Sequence, residues 1–170
     1  SIQSGYGRPA LAAGKTRFVL YNRSGNELRV ESRTQNLYTK KLENKIFLCA
    51  MSDNGTLAVV TESGRYAAQL QIFDPSFRQT YSWEMTQSAG TPIALDFSPD
   101  SRRFAAGMLS AREGQLSCSV YFMSMDTDAE GPVYTADQGS MLLRLDWQSE
   151  RRVMAVFDTY LAVLDPTTGA

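Results

Sequence analysis

The sequence predicts an all-β fold, a β-propeller of four-stranded WD40/YVTN-like blades, from three observations. Turn-forming residues recur at short intervals along the 170 residues, the apolar segments between them are too short for ordinary helices, and an apolar-turn-apolar unit returns at near-constant spacing.

Ser24-Gly25, Asp53-Asn54-Gly55, Ser63-Gly64, Asp74-Pro75, Ser98-Pro99-Asp100, Gly114, Gly131-Pro132, Gly139 and Asp165-Pro166 punctuate the chain. The segments between them are rich in β-branched and aromatic residues that alternate in the strand manner. Examples are Phe18-Val-Leu-Tyr21, Leu57-Ala-Val-Val60, Leu70-Gln-Ile-Phe73, Ser119-Val-Tyr-Phe122 and Leu161-Ala-Val-Leu164. No segment sustains a 3.6-residue period.

Self-comparison supplies the architecture. Ala50-Met-Ser-Asp-Asn-Gly-Thr-Leu-Ala58 resembles the stretches from Leu95 to Ala105 and from Leu145 to Ala155, with Leu57, Phe104 and Met154 corresponding at intervals of 47 and 50. Upstream, the stretch from Phe18 to Gly25 matches that from Leu57 to Gly64 at an interval of 39. Repeats of about 40 to 50 residues with four short strands each are what propeller blades require. The blades expected are 8–42, 45–85, 91–136 and 141–170, within one domain and with the last lacking its outer strand. That makes about 3.5 blades, and because a propeller closes with roughly 4 to 8, the chain is expected to be a fragment of a larger one. Both ends fit that reading: the chain opens without Met, and Leu161 to Gly169 is a strand entering a turn.

Composition excludes several classes. Apolar residues at 43% and charged residues at 21% are those of a globular domain. Seventeen Lys and Arg against eighteen Asp and Glu leave no global field for nucleic acid, which is excluded as a partner. The doublets Arg102-Arg103 and Arg151-Arg152 read as solvated turn charges. Cys49 and Cys118 sit in apolar runs as small buried hydrophobes, too few for a disulfide framework and without zinc spacing. No apolar run approaches the ~18 residues of a membrane span, so this segment inserts in no membrane directly.

The chain contains no His, which removes Ser-His-Asp and Cys-His catalysis. Catalysis would rest on carboxylates, of which Asp53, Asp96, Asp100 and Asp146 lie nearest the repeated turns. Their repetition favours turn chemistry, since Asp in such turns accepts hydrogen bonds from backbone amides. No cofactor is expected. For a metal, Asp126-Thr-Asp-Ala-Glu-Gly131 followed by Asp137 meets a calcium-loop spacing. Asp126, Asp128, Glu130 and Asp137 would be its ligands, with Asp in place of the usual final Glu. An acidic hairpin between outer strands accounts for the same letters. Asn22-Arg-Ser24 and Asn54-Gly-Thr56 are formal glycosylation acceptors that turn-rich chains also produce by chance. Tyr81, Trp83, Tyr121, Phe122 and Trp147 suit either inter-blade packing or the stacking of a ligand.

Gly5-Tyr-Gly-Arg-Pro-Ala-Leu-Ala-Ala-Gly14, Phe18 to Val30, Met51-Ser-Asp-Asn-Gly-Thr-Leu-Ala-Val-Val60 and Ala94-Leu-Asp-Phe-Ser-Pro-Asp100 occur in an order that resembles an uncharacterised family from Gram-positive bacteria. Its members are single-pass membrane proteins with a propeller-like region of unknown function outside the membrane. Asn22 stands where many propeller repeats carry Asp, and the Gly-His and Trp-Asp signatures of the best-known repeat class are absent. The resemblance implies an extracytoplasmic protein tethered to the membrane by a segment outside these residues.

The function expected is a non-catalytic protein-interaction or ligand-binding scaffold of the cell envelope, working through loops on rigid blades. Its partner would be a protein or a cell-wall glycan, and exposed blade faces allow a homodimer. The alternatives are a carbohydrate-active or other hydrolase completed by blades outside this chain, and a structural spacer.

Overall fold

The computed structural model describes residues 7–112 and 114–170. Gly5 and Tyr6 of the first quoted motif lie outside the described residues. Fifteen strands and no helix are found among those described, so none of them forms a helix long and apolar enough to cross a membrane. The chain divides into two compact units, residues 1–84 and 85–170. The absence of helices has a local cause: between turns, runs such as Leu57–Thr61 and Ala68–Phe73 are five or six residues long, which suits a strand better than a helix nucleus.

The first unit carries two antiparallel meanders. One sheet is β1 (Pro9–Ala13), β2 (Arg17–Asn22), β3 (Glu27–Ser32) and β4 (Asn36–Lys41), in that order. The other is β5 (Ile46–Met51), β6 (Leu57–Thr61), β7 (Ala68–Phe73) and β8 (Gln79–Met85). Because strand side chains alternate between faces, register decides what faces what. Ala12, Val19, Val30 and Tyr38 form one cross-strand row, and Ala10, Tyr21 and Leu28 the next. In the second sheet Met51, Leu57 and Phe73 form a row, with Cys49, Val59 and Gln71 beside it and then Ile46, Thr61 and Gln69. These two faces meet in one core, where Val19, Leu28, Val30, Ile46, Leu57 and Val59 are fully buried. Each such side chain removed from water stabilises by about 1.5–3 kcal/mol.

The second unit holds β9 (Thr91–Phe97), β10 (Arg103–Arg112), β11 (Gln115–Ser124) and β12 (Val133–Thr135) in one sheet, and β13 (Leu142–Ser149), β14 (Arg152–Phe157) and β15 (Leu161–Leu164) in a three-stranded one. Its core joins Ala105, Cys118, Val120 and Phe122 to Leu145, Trp147, Val153, Ala155 and Phe157. Two glycines make that packing possible. A Cβ on Gly107 would collide with Leu142, and one on Gly131 would collide with the carbonyl oxygen of Phe122. Cys49 and Cys118 are buried free thiols, and burial pushes the Cys49 thiol up from its ordinary pKa.

The repeated turns share one chemistry. Ser52 donates its amide to the Thr56 carbonyl, and Ser98 donates to that of Arg103. In each, the side chain two positions on accepts from the serine hydroxyl, Asn54 at 2.6 Å and Asp100 at 2.5 Å. Gly55 (φ 92°) and Ser101 (φ 60°) take the left-handed conformation that closes these loops.

Candidate functional site

The carboxylates singled out from sequence are engaged in structure. Asp100 accepts from the Ser98 hydroxyl and the Arg102 amide. Burial pushes its carboxyl up, but the Ser98 hydroxyl, the Arg102 amide and the neighbouring guanidinium groups outweigh this and hold it below its usual pKa. Asp96 accepts the Trp147 amide at 2.8 Å, so it clamps β13 to β9. Asp53 pairs with Lys15 and Asp146 with Arg144. Each therefore ends in a turn, a clamp or a surface ion pair.

Among the described residues no three Asp, Glu or Cys side chains gather in a metal-holding group. Asp126 takes both Nε and Nη2 of Arg102, at 3.0 and 2.8 Å. Strand β12 runs between Glu130 and Asp137, and the Asp137 amide donates to the Tyr160 hydroxyl. The formal glycosylation asparagines also serve their turns, since Asn22 Oδ1 accepts the Arg8 amide and Asn54 Oδ1 accepts from Ser52 and Thr56. Arg103 departs from the solvated reading of its doublet. It is half-buried, lies 5.1 Å over the Trp147 ring, and binds both the backbone and the carboxylate of Glu150 at 2.7 Å.

Concave, solvent-open surface remains in both units. In the second, a cavity of about 210 Å³ is lined by Arg103, Phe122, Gly131, Pro132, Trp147 and Pro166. Phe122 and Trp147 meet edge to face at 6.4 Å, and the buried Trp147 Nε1 finds no acceptor. It is largely apolar, with its one strong cation neutralised by Glu150.

In the first unit, two cavities of about 260 and 360 Å³ share one lining residue, Phe77. Phe77 belongs to the turn Asp74-Pro75-Ser76-Phe77-Arg78 between β7 and β8. There Asp74 Oδ1 accepts from the amides of Ser76 and Arg78, and the Asp74 amide donates to the Arg78 carbonyl. The Arg78 amide, helped by Ser76 and the Arg78 side chain, holds the Asp74 carboxyl below its usual pKa. Closing this turn puts Phe77 at φ 61°, a left-handed conformation costly for a bulky side chain, of order 1–3 kcal/mol. Its ring is held by stacking on Phe73 (4.2 Å, 8°), by a tilted approach of Tyr38 (5.1 Å) and by the Lys40 ammonium 5.1 Å from its centroid.

The cavity on the β7 side is lined by Lys41, Glu43, Asn44, Thr61, Gln69 and Gln71, with Phe73 and Phe77 closing it. The register explains the polar wall: Thr61, Gln69 and Gln71 continue the core face of their sheet where the apolar residues stop. Gln71 donates to Gln79 at 2.9 Å, which orients its amide. The cavity on the β4 side is lined by Arg17, Leu37, Tyr38, Lys40, Pro75 and Ser76. Arg17 donates to the Pro75 carbonyl at 2.8 Å and ties the turn to β2. Each cavity has one buried hydroxyl among its lining, Thr61 Oγ1 and Tyr38 OH, without a hydrogen-bond partner. Desolvation pushes the Tyr38 phenol up to about 12. The two linings together offer amides, hydroxyls and ammonium groups around one aromatic ring.

Sequence reasoning singled out Phe122 and Trp147, which pack in a core, and missed Phe77, Gln69 and Gln71. A signal existed for the first: a Phe stands in an Asp-Pro-Ser turn, where small residues are usual. For the glutamines it was their strict alternation with Leu70 and Ile72.

A model of a family of unknown function, DUF5711, matches residues 2–166. No curated protein matches the chain in sequence. Among solved structures, Hsv2p of Kluyveromyces lactis superposes with a TM-score of 0.64 at 11% identity, covering 94% of this chain and 55% of that one. The β-propeller domain of the trilobed protease of Pyrococcus furiosus gives 0.61 at 11%, covering 87% and 47%. The hydrazine synthase of Kuenenia stuttgartiensis gives 0.59 at 16%, covering 92% and 54%. The fold is a β-propeller fold, and the chain spans about half the length of these structures.

Proposed function

The chain belongs to the DUF5711 family of unknown function, and for it we propose a non-catalytic binding scaffold of the cell envelope that recognises a protein or a glycan through loops and grooves on its sheets. One observation carries the reading. The carboxylates near the repeated turns are occupied by backbone amides and cationic side chains, while the groove around Phe77 keeps amides and ammonium groups beside open space. Rigid strands hold that groove, as binding sites require.

The reading places the protein outside the cytoplasm, tethered to the membrane by a segment other than this one, in keeping with the order of its blade motifs. It includes pairing of two copies, favoured by Leu143, Leu161 and Val163, each more than half exposed on β13 and β15. Light scattering at increasing concentration should then show mass rising toward a dimer, and a constant monomer mass removes that part.

Glycan arrays and pull-downs from envelope extracts test the whole, with the same ligands incubated and assayed for cleavage. Retention of an intact ligand supports the scaffold; release of new reducing ends or peptide fragments replaces it with a hydrolase.

A further inference from the structure

We propose that the groove divided by Phe77 binds an extended acidic glycan, with two successive sugar units seated one in each cavity; this rests on the scaffold reading and specifies its ligand.

Four observations carry it. First, the two cavities share Phe77 as a common wall, so a chain molecule crossing the ring enters both. Their volumes, about 260 and 360 Å³, sit at or below the lower end of the roughly 300–1,000 Å³ typical of drug-sized ligands, which suits one small ring apiece. Second, the lining supplies both donors and acceptors: Gln69 and Gln71 on a strand, and Asn44. Vicinal hydroxyls, each donor and acceptor at once, are what such a wall complements.

Third, the charge is asymmetric. Lys40 and Arg17 line one cavity and Lys41 the other, against Glu43; Asp74, in the turn, is already paired with Arg78 at 2.8 Å. The Lys40 ammonium lies over the Phe77 ring, 5.1 Å from its centroid. Fourth, the strained turn marks a residue whose ring is wanted there. A related turn of the second unit, Asp165-Pro166-Thr167-Thr168-Gly169, also has its Asp Oδ1 accepting the amide two residues on; it is one residue longer, closing on Ala170 rather than at the position of Arg78, and it puts Gly169 at φ 75° in its own left-handed position. Glycine closes this kind of turn without strain; Phe77 stands where glycine would serve. The groove offers no deep apolar socket for an anchoring side chain of the kind that dominates protein–protein interfaces, so the observations favour a sugar chain over an acidic peptide.

Titration of the full chain with tetragalacturonate, chitotetraose and a tetraglutamate peptide, followed by calorimetry and amide shifts, tests it. Tetragalacturonate should bind at about millimolar strength, as expected of an open groove, and perturb Lys40, Lys41, Gln69, Gln71 and Phe77. Phe77→Gly keeps the left-handed turn and should weaken it about tenfold, and Lys40→Ala with Lys41→Ala should weaken it several-fold and flatten its salt dependence. Gln71→Ala, on a strand and away from the turn, should also weaken it, and it decides the matter if Phe77→Gly fails to fold. Absence of binding, equal binding of tetraglutamate, or binding indifferent to Phe77→Gly and Gln71→Ala overturns the inference. Glycan or protein binding that maps elsewhere would overturn it while leaving the scaffold reading intact; cleavage of the tetragalacturonate would overturn the scaffold reading itself.

Discussion

The two units build related Asp-Pro turns of different length, one closing from Asp74 to Arg78 and the other from Asp165 to Ala170, with different residues. After β7 the chain runs Asp74-Pro75-Ser76-Phe77, and after β15 it runs Asp165-Pro166-Thr167-Thr168-Gly169. Asp74 and Asp165 both cap their turns, and both carboxyls are held below their usual pKa, Asp74 chiefly by the Arg78 amide and Asp165 chiefly by the Thr167 hydroxyl. At the left-handed position one unit carries an aromatic ring and the other none. In the first unit that ring stacks on Phe73 and parts two polar cavities; in the second, the cavity lined by Pro166 and Thr167 is apolar around Trp147 and Phe122. Backbone geometry is set by the Asp and the turn, and chemistry is set by the one side chain the turn presents.

That contrast can be broken most severely in the second unit. Gly131→Ala places a methyl group on the Phe122 carbonyl, against backbone that cannot yield, and should cost about 2–4 kcal/mol in urea unfolding. A loss below ~0.5 kcal/mol would mean that the loop before β12 is not held as described. Asp100→Ala comes next, at about 1 kcal/mol from lost turn hydrogen bonds, with no change in ligand binding. Lost binding at an unchanged melting temperature would restore a functional role for Asp100.

Acid should reveal the same turns. Because Asp74, Asp100 and Asp165 have folded-state values below the ordinary 3.8, their contribution is present above that value and is lost as pH falls through the lower folded one. Melting temperature should therefore drop below about pH 4, and less steeply in Asp100→Ala. A smaller effect is expected from Phe77→Gly: relief of the left-handed strain offsets the lost ring packing, leaving stability within about 1 kcal/mol. Trp147→Phe should change least, within roughly 1 kcal/mol, because it removes ring area together with an N–H that has no acceptor. A clear loss would identify a partner for that N–H.

The alternation of Phe18 to Tyr21, Leu57 to Val60 and Leu161 to Leu164, with turns every few residues, determined the all-β meander and most strand positions. These are local properties, written in a period of two and in the backbone preferences of Gly, Pro, Asp and Ser. The role of Asp100 in its turn was legible for the same reason, since donor and acceptor lie within five residues. Tertiary structure decided the rest. Strand register placed Thr61, Gln69 and Gln71 on the face toward the first sheet, and the turn after β7 brought Phe77 to Tyr38 and Lys40, nearly forty residues away. It also paired Asp126 with Arg102, and bound Arg103 to Glu150. Sequence spacing records which residues are near along the chain; a groove between two sheets depends on pairing and packing energies summed over strands far apart in it.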